Sequence, residues 1–146
     1  MKAEAKLFLA VTAILVMSGC EKGRLDDEVR RLCAIDGGVR VYETVKLPPD
    51  RFDKFEVVSI PSNKKAKSAD DFFYELNVHY LQKGNPSLVR FHYRLVRRVD
   101  GKVLGELIKY GRGGGDIPSP IHDSHFTCPE GSRDQPSLET LVFQRR

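Results

Sequence analysis

The sequence predicts an α+β domain, with one N-terminal helix packed on a mainly antiparallel sheet of about four to six strands. Three observations carry that expectation. Leu25 to Ile35 is the one stretch of the folded region that repeats its apolar residues at helical spacing. Several later stretches alternate apolar and polar residues with the period of two that a half-buried strand requires. Turn signals separate them, namely Pro48-Pro49, Gly84-Asn85-Pro86 and Asp100-Gly101. At 146 residues the chain is one domain by length.

The helix is argued from one face and two ends. Leu25, Val29, Leu32 and Cys33 fall at i, i+4, i+7 and i+8. Asp26, Asp27 and Glu28 crowd the first turn and Arg30 and Arg31 follow, the order a helix dipole favours. Asp26–Arg30 and Asp27–Arg31 are expected as i, i+4 ion pairs. Gly37-Gly38 supplies a left-handed stop.

Val39 to Leu47 then reads as a single half-buried strand, and Asp50 to Phe55 as a short helical turn. Glu56 to Ile60 is expected as a brief strand before Pro61, and Ser62 to Asp71 as a polar loop. Phe72 to Leu81 and Leu88 to Val99 alternate strongly, and Lys102 to Arg112 returns from Asp100-Gly101 as a hairpin. A two-residue turn pairs Tyr93 with Ile108 and Phe91 with Tyr110, whereas a three-residue turn sets Arg94 opposite Glu106. The first is preferred because it gathers the aromatics, and a slip of one residue reverses every face. Gly111 to Asp116 reads as a loop, Ile117 to Pro129 as irregular, and Leu138 to Gln144 as a last strand.

Ahead of the helix, Lys2 and Lys6 precede an uninterrupted apolar or small run, Leu7 to Met17. It is too short for the roughly 20 residues of a membrane-spanning helix, and it suits the apolar region of a secretory signal. Met17-Ser18-Gly19-Cys20 closes that run and resembles the lipobox of bacterial lipoproteins, with Met17 standing where Leu is usual. The resemblance implies a signal peptide over residues 1–19 and a diacylglycerol on the Cys20 sulfur. It further implies a lipidated tether over 20–24 and a single domain over 25–146. Glu21 follows the cysteine where an Asp would imply inner-membrane retention, so outer-membrane delivery facing the periplasm is expected. The stretches Cys33 to Gly38 and Asp100 to Glu106 are likewise similar to small envelope lipoproteins of Gram-negative bacteria, which implies a location and a fold but no activity.

The same resemblance bears on the three cysteines, an odd count that flags a free thiol in an exported chain. With Cys20 lipidated, Cys33 and Cys128 remain as an even pair, expected as a disulfide in an oxidising compartment or, alternatively, as two buried thiols. Removal of residues 1–19 takes two of the 24 basic and one of the 20 acidic side chains, leaving a net charge of +3. That excess is too small and too scattered to argue for nucleic acid.

Four groups of residues bear on chemistry. The glycine run at 111–115 lacks the following helix and the Lys-Ser/Thr pair of a phosphate loop. His122 and His125, with Asp116 nearby, carry the donor types of a metal site, and Ser124 beside them those of a hydrolase. Arg90, His92, Arg94 and Arg98 form a basic stripe, flanked by His79, that could receive an anionic ligand or read as a solvated sheet face. Lys64, Lys65 and Lys67 make a basic loop that could meet anionic lipid. No matched set of nucleophile, acid and base stands out. The expectation is a non-enzymatic envelope lipoprotein with no cofactor beyond its covalent lipid, binding another envelope protein or a cell-wall component. The alternative is a periplasmic metal or small-ligand binder using the His122–His125 loop.

Overall fold

The computed structural model describes residues 21–116, 124–129 and 136–146. The apolar run, Cys20 and His122 lie outside the described residues. A helix, α1, covers residues 21–36, and the chain then forms β1 (Gly38–Val41), β2 (Val45–Leu47) and a 3-10 turn at Pro49–Arg51. Three long strands follow, β3 (Phe72–Gln82), β4 (Ser87–Arg97) and β5 (Val103–Gly113). Then come β6 (His125–Cys128), a short helix α2 (Leu138–Val142) and β7 (Phe143–Arg145). The main sheet runs β1-β5-β4-β3, with β6 also on β5 and all pairs antiparallel, so the α+β expectation holds.

α1 ends as its glycines require. Gly37 N–H donates to the Cys33 carbonyl at 2.8 Å, and Gly38 takes a φ of 106°, open to a residue without Cβ. It starts earlier than the expected Leu25, because residues 21–24 are already helical. The surface pairs also shift by one place: Asp27–Arg30 and Glu28–Arg31 form at i, i+3, leaving Asp26 free to reach the sheet.

Leu25 and Val29 of α1 are fully buried against Leu88, Ile108 and Tyr110, one face of the sheet. Each such side chain contributes about 1.5–3 kcal/mol by leaving water. Cys33 on the same helix face bonds to Cys128 of β6, with Cα atoms 5.9 Å apart, so the paired expectation for these cysteines holds. The opposite face carries a second core, in which Leu95, Leu104, Leu138, Val142 and Phe143 are buried with Leu47, Val58 and Phe72. Phe72 meets Phe143 edge to face at 4.9 Å.

Five expectations are corrected. Val39–Leu47 divides at Tyr42–Thr44 into β1, on β5, and β2, which pairs parallel with β7 in a separate ribbon. Tyr42 and Glu43 N–H groups both donate to the Leu104 carbonyl and turn the chain away. Residues 56–60 are not a strand, although Val58 is buried: Glu56 and Val57 close a turn on Asp53. Leu138–Gln144 begins as α2 because Ser137 caps it, accepting from the Thr140 N–H, and Leu138 and Val142 then share one buried face. Gly111 to Gly113 belong to β5 and not to a loop, and residues 125–128 form β6. Flanked by Phe91 and Thr127 at 3.4–3.5 Å from an added Cβ, Gly111 fits between neighbours on both sides.

The hairpin register is the rejected one. Arg94 faces Glu106, Tyr93 faces Leu107 and Phe91 faces Lys109. A four-residue turn pairs Arg97 with Lys102, and a bulge beside Leu95 then shifts the strands by one. The bulge turns Leu104 into the second core and places Gly105 beneath α2, where a Cβ would lie 2.8 Å from the Arg40 carbonyl and 2.9 Å from Leu138. Burial of Leu104 and closure of the charge pairs outweighed aromatic pairing.

The disulfide closes a loop of 95 residues. Replacing both cysteines by serine is expected to cost about 2–5 kcal/mol in urea unfolding of the oxidised protein. Equal midpoints for the two proteins would contradict that.

Candidate functional site

The basic stripe on β4 is not free. Arg90 donates to the Asp36 carboxylate at 3.1 Å and to the Tyr110 hydroxyl at 3.1 Å, and Tyr110 itself donates to Asp36 at 2.6 Å. Asp36 is the last residue of α1, so the helix end is fastened onto β4 and β5. The Tyr110 hydroxyl and then Arg90 hold the Asp36 carboxyl below its ordinary value against the opposing effect of burial. His92 meets Glu106 at 2.7 Å, Arg94 donates to Glu75 at 2.5 Å, and Arg97 pairs with Glu43 and Asp100. Arg98 is held by the Asp70 carbonyl and lies over the Phe73 ring, while His79 is exposed. The register that sequence reasoning set aside creates two of these contacts, because it brings Glu106 beside His92 and Tyr110 opposite Arg90.

Glu106 is the most enclosed carboxylate of the stripe. The Tyr42 hydroxyl, followed by His92 and Arg40, holds its carboxyl down to about 2 from an ordinary 4.5, against the pull of burial. A value depressed in the folded state means that its stabilisation is complete above about 4.5 and is lost as pH falls toward 2. Glu106→Gln is therefore expected to flatten the loss of stability between those two values, read by thermal melts across pH. An acid limb as steep as that of the parent would contradict it.

The second cluster joins α1 to the end of β5. Arg112 is 3% exposed, and its Nε donates to Asp26 at 2.6 Å. Its Nη1 donates to the Gly114 and Ser124 carbonyls at 2.5 and 3.0 Å. Beside it, Asp116 accepts from Lys22 at 2.5 Å and from both the backbone N–H and the hydroxyl of Ser124. Those donors, Lys22 foremost, lower the Asp116 carboxyl well below the ordinary carboxylate range. Asp116 and Ser124 are thus brought together, but as an ion pair and a loop clip. His125 is exposed at the start of β6, and among the described residues no group of three or more metal-ligating side chains is assembled. Lys64, Lys65 and Lys67 are exposed on their loop.

Sequence reasoning missed Arg112, which the alternation gave no reason to single out, and assigned Asp26 to Arg30 on its own helix instead of to Arg112 across on the sheet. Arg112→Ala is expected to cost about 3–5 kcal/mol, since it strands a partly buried carboxylate and two carbonyls. Arg51→Ala, at the exposed pair with Asp71, serves as the near-neutral control in the same denaturation series.

It also missed the cavity. Across the sheet from the stripe, a partly open, largely apolar cavity of about 490 Å³ lies between the strands and residues 136–139. Val39, Ile60, Leu76, Tyr93, Leu107 and Leu138 line it, with Lys109, Tyr74 and Glu139 supplying polar groups. Burial, and after it the neighbouring Glu139 carboxylate, raises the Tyr74 phenol above its ordinary value, so it stays a neutral hydroxyl. A second hollow of about 580 Å³ shares Ser62, Tyr74 and Leu76 and continues along β3 to Val78 and Arg94. The sequence signal for this surface is the alternation that sets Tyr74 and Leu76 of β3 and Tyr93 of β4 on the face opposite the charged stripe.

No protein-family model, curated protein or solved structure matches this chain.

Proposed function

We propose that this chain is a lipid-anchored protein of the bacterial cell envelope that works by binding and not by catalysis. The observation that carries the reading is Met17-Ser18-Gly19-Cys20, which follows an apolar run and stands directly before α1. The Cys33–Cys128 disulfide supports it, because a bridge of this kind persists in an oxidising compartment such as the periplasm. It also accounts for the cysteine count, leaving Cys20 for the lipid.

Binding is favoured over chemistry by how the reactive groups are used. Asp36, Glu106 and Asp116 each hold several donors of this chain, and Arg90, Arg94 and Arg112 are each paired with a carboxylate. What stays open is apolar: the cavity beside Leu107 and Tyr93 has the size and lining for an apolar side chain or a small amphiphile. Lys109 and Glu139 supply the polar groups that would orient it. Partners of this reading are the membrane, through the lipid, and an envelope protein or cell-wall component.

In a bacterial host fed a radiolabelled or clickable fatty acid, the parent chain is expected to take up label, and Cys20→Ser to remain an unlabelled precursor. Label on the serine variant, or normal processing of it, would refute the anchor.

A further inference from the structure

We propose that the outer edge of β3 pairs antiparallel with the same edge of a second copy of this chain, about a two-fold axis at Val78. β3 is the last strand of its sheet. The direction of its backbone groups follows from two hydrogen bonds. The Tyr74 N–H donates to the Pro61 carbonyl at 2.9 Å, and the Asn63 N–H donates to the Tyr74 carbonyl at 2.7 Å. Tyr74 therefore turns its backbone groups away from β4. Along a strand that direction alternates, so Leu76, Val78 and Tyr80 also point outward. Among the described residues nothing pairs with them.

These three residues are 50%, 44% and 51% exposed, and none carries charge. Sheet edges are ordinarily defended by lysine, proline or an early bulge. Here the segment at Ser62–Asn63 closes one end and the irregularity between Tyr80 and Gln82 closes the other. Five residues remain, 76–80, centred on Val78. The hollow of about 580 Å³ beside Leu76, Asn77 and Val78 leaves room for an incoming strand.

Self-pairing has one good register. Hydrogen-bonded pairs need outward-facing residues opposite one another, so even positions must meet even positions. With Val78 opposite itself, Leu76 of one copy meets Tyr80 of the other, and the three pairs exchange about six hydrogen bonds. On the other face Asn77 meets His79, and no like charges oppose. Centring on Asn77 would push Tyr80 into the Ser62–Asn63 segment bonded to Tyr74, and centring on His79 would set two imidazoles face to face. Charge at the ends is mixed: Lys64 borders the hollow at one end, while at the other the Gln82 amide holds the Glu21 carboxylate and Lys83 follows it, so the two-fold sets one cation against an anion and a cation. Five residues bury less than a standard interface, which makes this a weak, concentration-dependent association.

Sedimentation equilibrium of the full chain in density-matched detergent, across a roughly hundredfold range of concentration, reads the association directly. Val78→Lys, which opposes two cations at the axis, is expected to weaken it by about tenfold or more. Hydrogen exchange of the unsubstituted chain is the independent measurement. Slowing of the Leu76, Val78 and Tyr80 amides as concentration rises, with the odd-numbered neighbours slow throughout, supports the pairing. A monomer over the whole range overturns it. So does a dimer that leaves those three amides fast, or one paired through a foreign strand in place of a second copy.

Discussion

A charged contact between helix and sheet holds this molecule in register. Arg112 is almost wholly buried at the end of β5, where its guanidinium meets Asp26 from the first turns of α1 and the carbonyls of Gly114 and Ser124. A buried cation is tolerated only when its donors are met, so the position of α1, the path of 113–115 and the start of β6 are set together. Cys33–Cys128 fastens the same helix farther along, and Asp36 closes its end on Arg90 and Tyr110. Leu25 and Val29 fill the space between. Three unlike interactions therefore act on one helix, and the apolar contact alone would not choose its direction.

The sheet then serves two cores. Under α1 the face is apolar near Leu88 and Ile108 and ionic along Arg90, His92 and Arg94. On the other side, the bulge at Leu104 supplies a buried side chain that strict alternation would have aimed elsewhere, and Gly105 lets α2 lie close. With charge gathered and satisfied on the α1 side, the opposite side is left with apolar surface that the described residues only partly cover. The cavity and the open edge of β3 meet at Leu76. A protein that binds at that surface needs no chemistry from its ion pairs, which serve the fold.

The hairpin turn was visible in Asp100-Gly101, but its register was decided by Glu106 finding His92 and by Leu104 finding the second core. Those are long-range choices, and a two-residue turn rule has no access to them. Likewise Val39 to Leu47 alternates with Glu43 as its one exception, yet it is split because the Leu104 carbonyl captures two successive N–H groups. The stretch from Leu138 read as a strand because five residues are too few to display a helical period, and the Ser137 cap decided it.

By itself the sequence determined the fold class, the helix and its stop at Gly37-Gly38 and the three long strands, and the lipobox resemblance pointed to Cys33 and Cys128 as the bonded pair. Those features are local, written in periodicity, in glycine and proline, and in the parity of a cysteine count. Only tertiary structure decided that Arg90, His92 and Arg94 of the basic stripe meet carboxylates of this chain, that Asp116 and Ser124 serve a clip, and that the open apolar surface of the described residues lies on the opposite face. The physical reason is pairing at a distance: Arg112 and Asp26, or His92 and Glu106, are ordinary charged residues until the register brings them within hydrogen-bond reach.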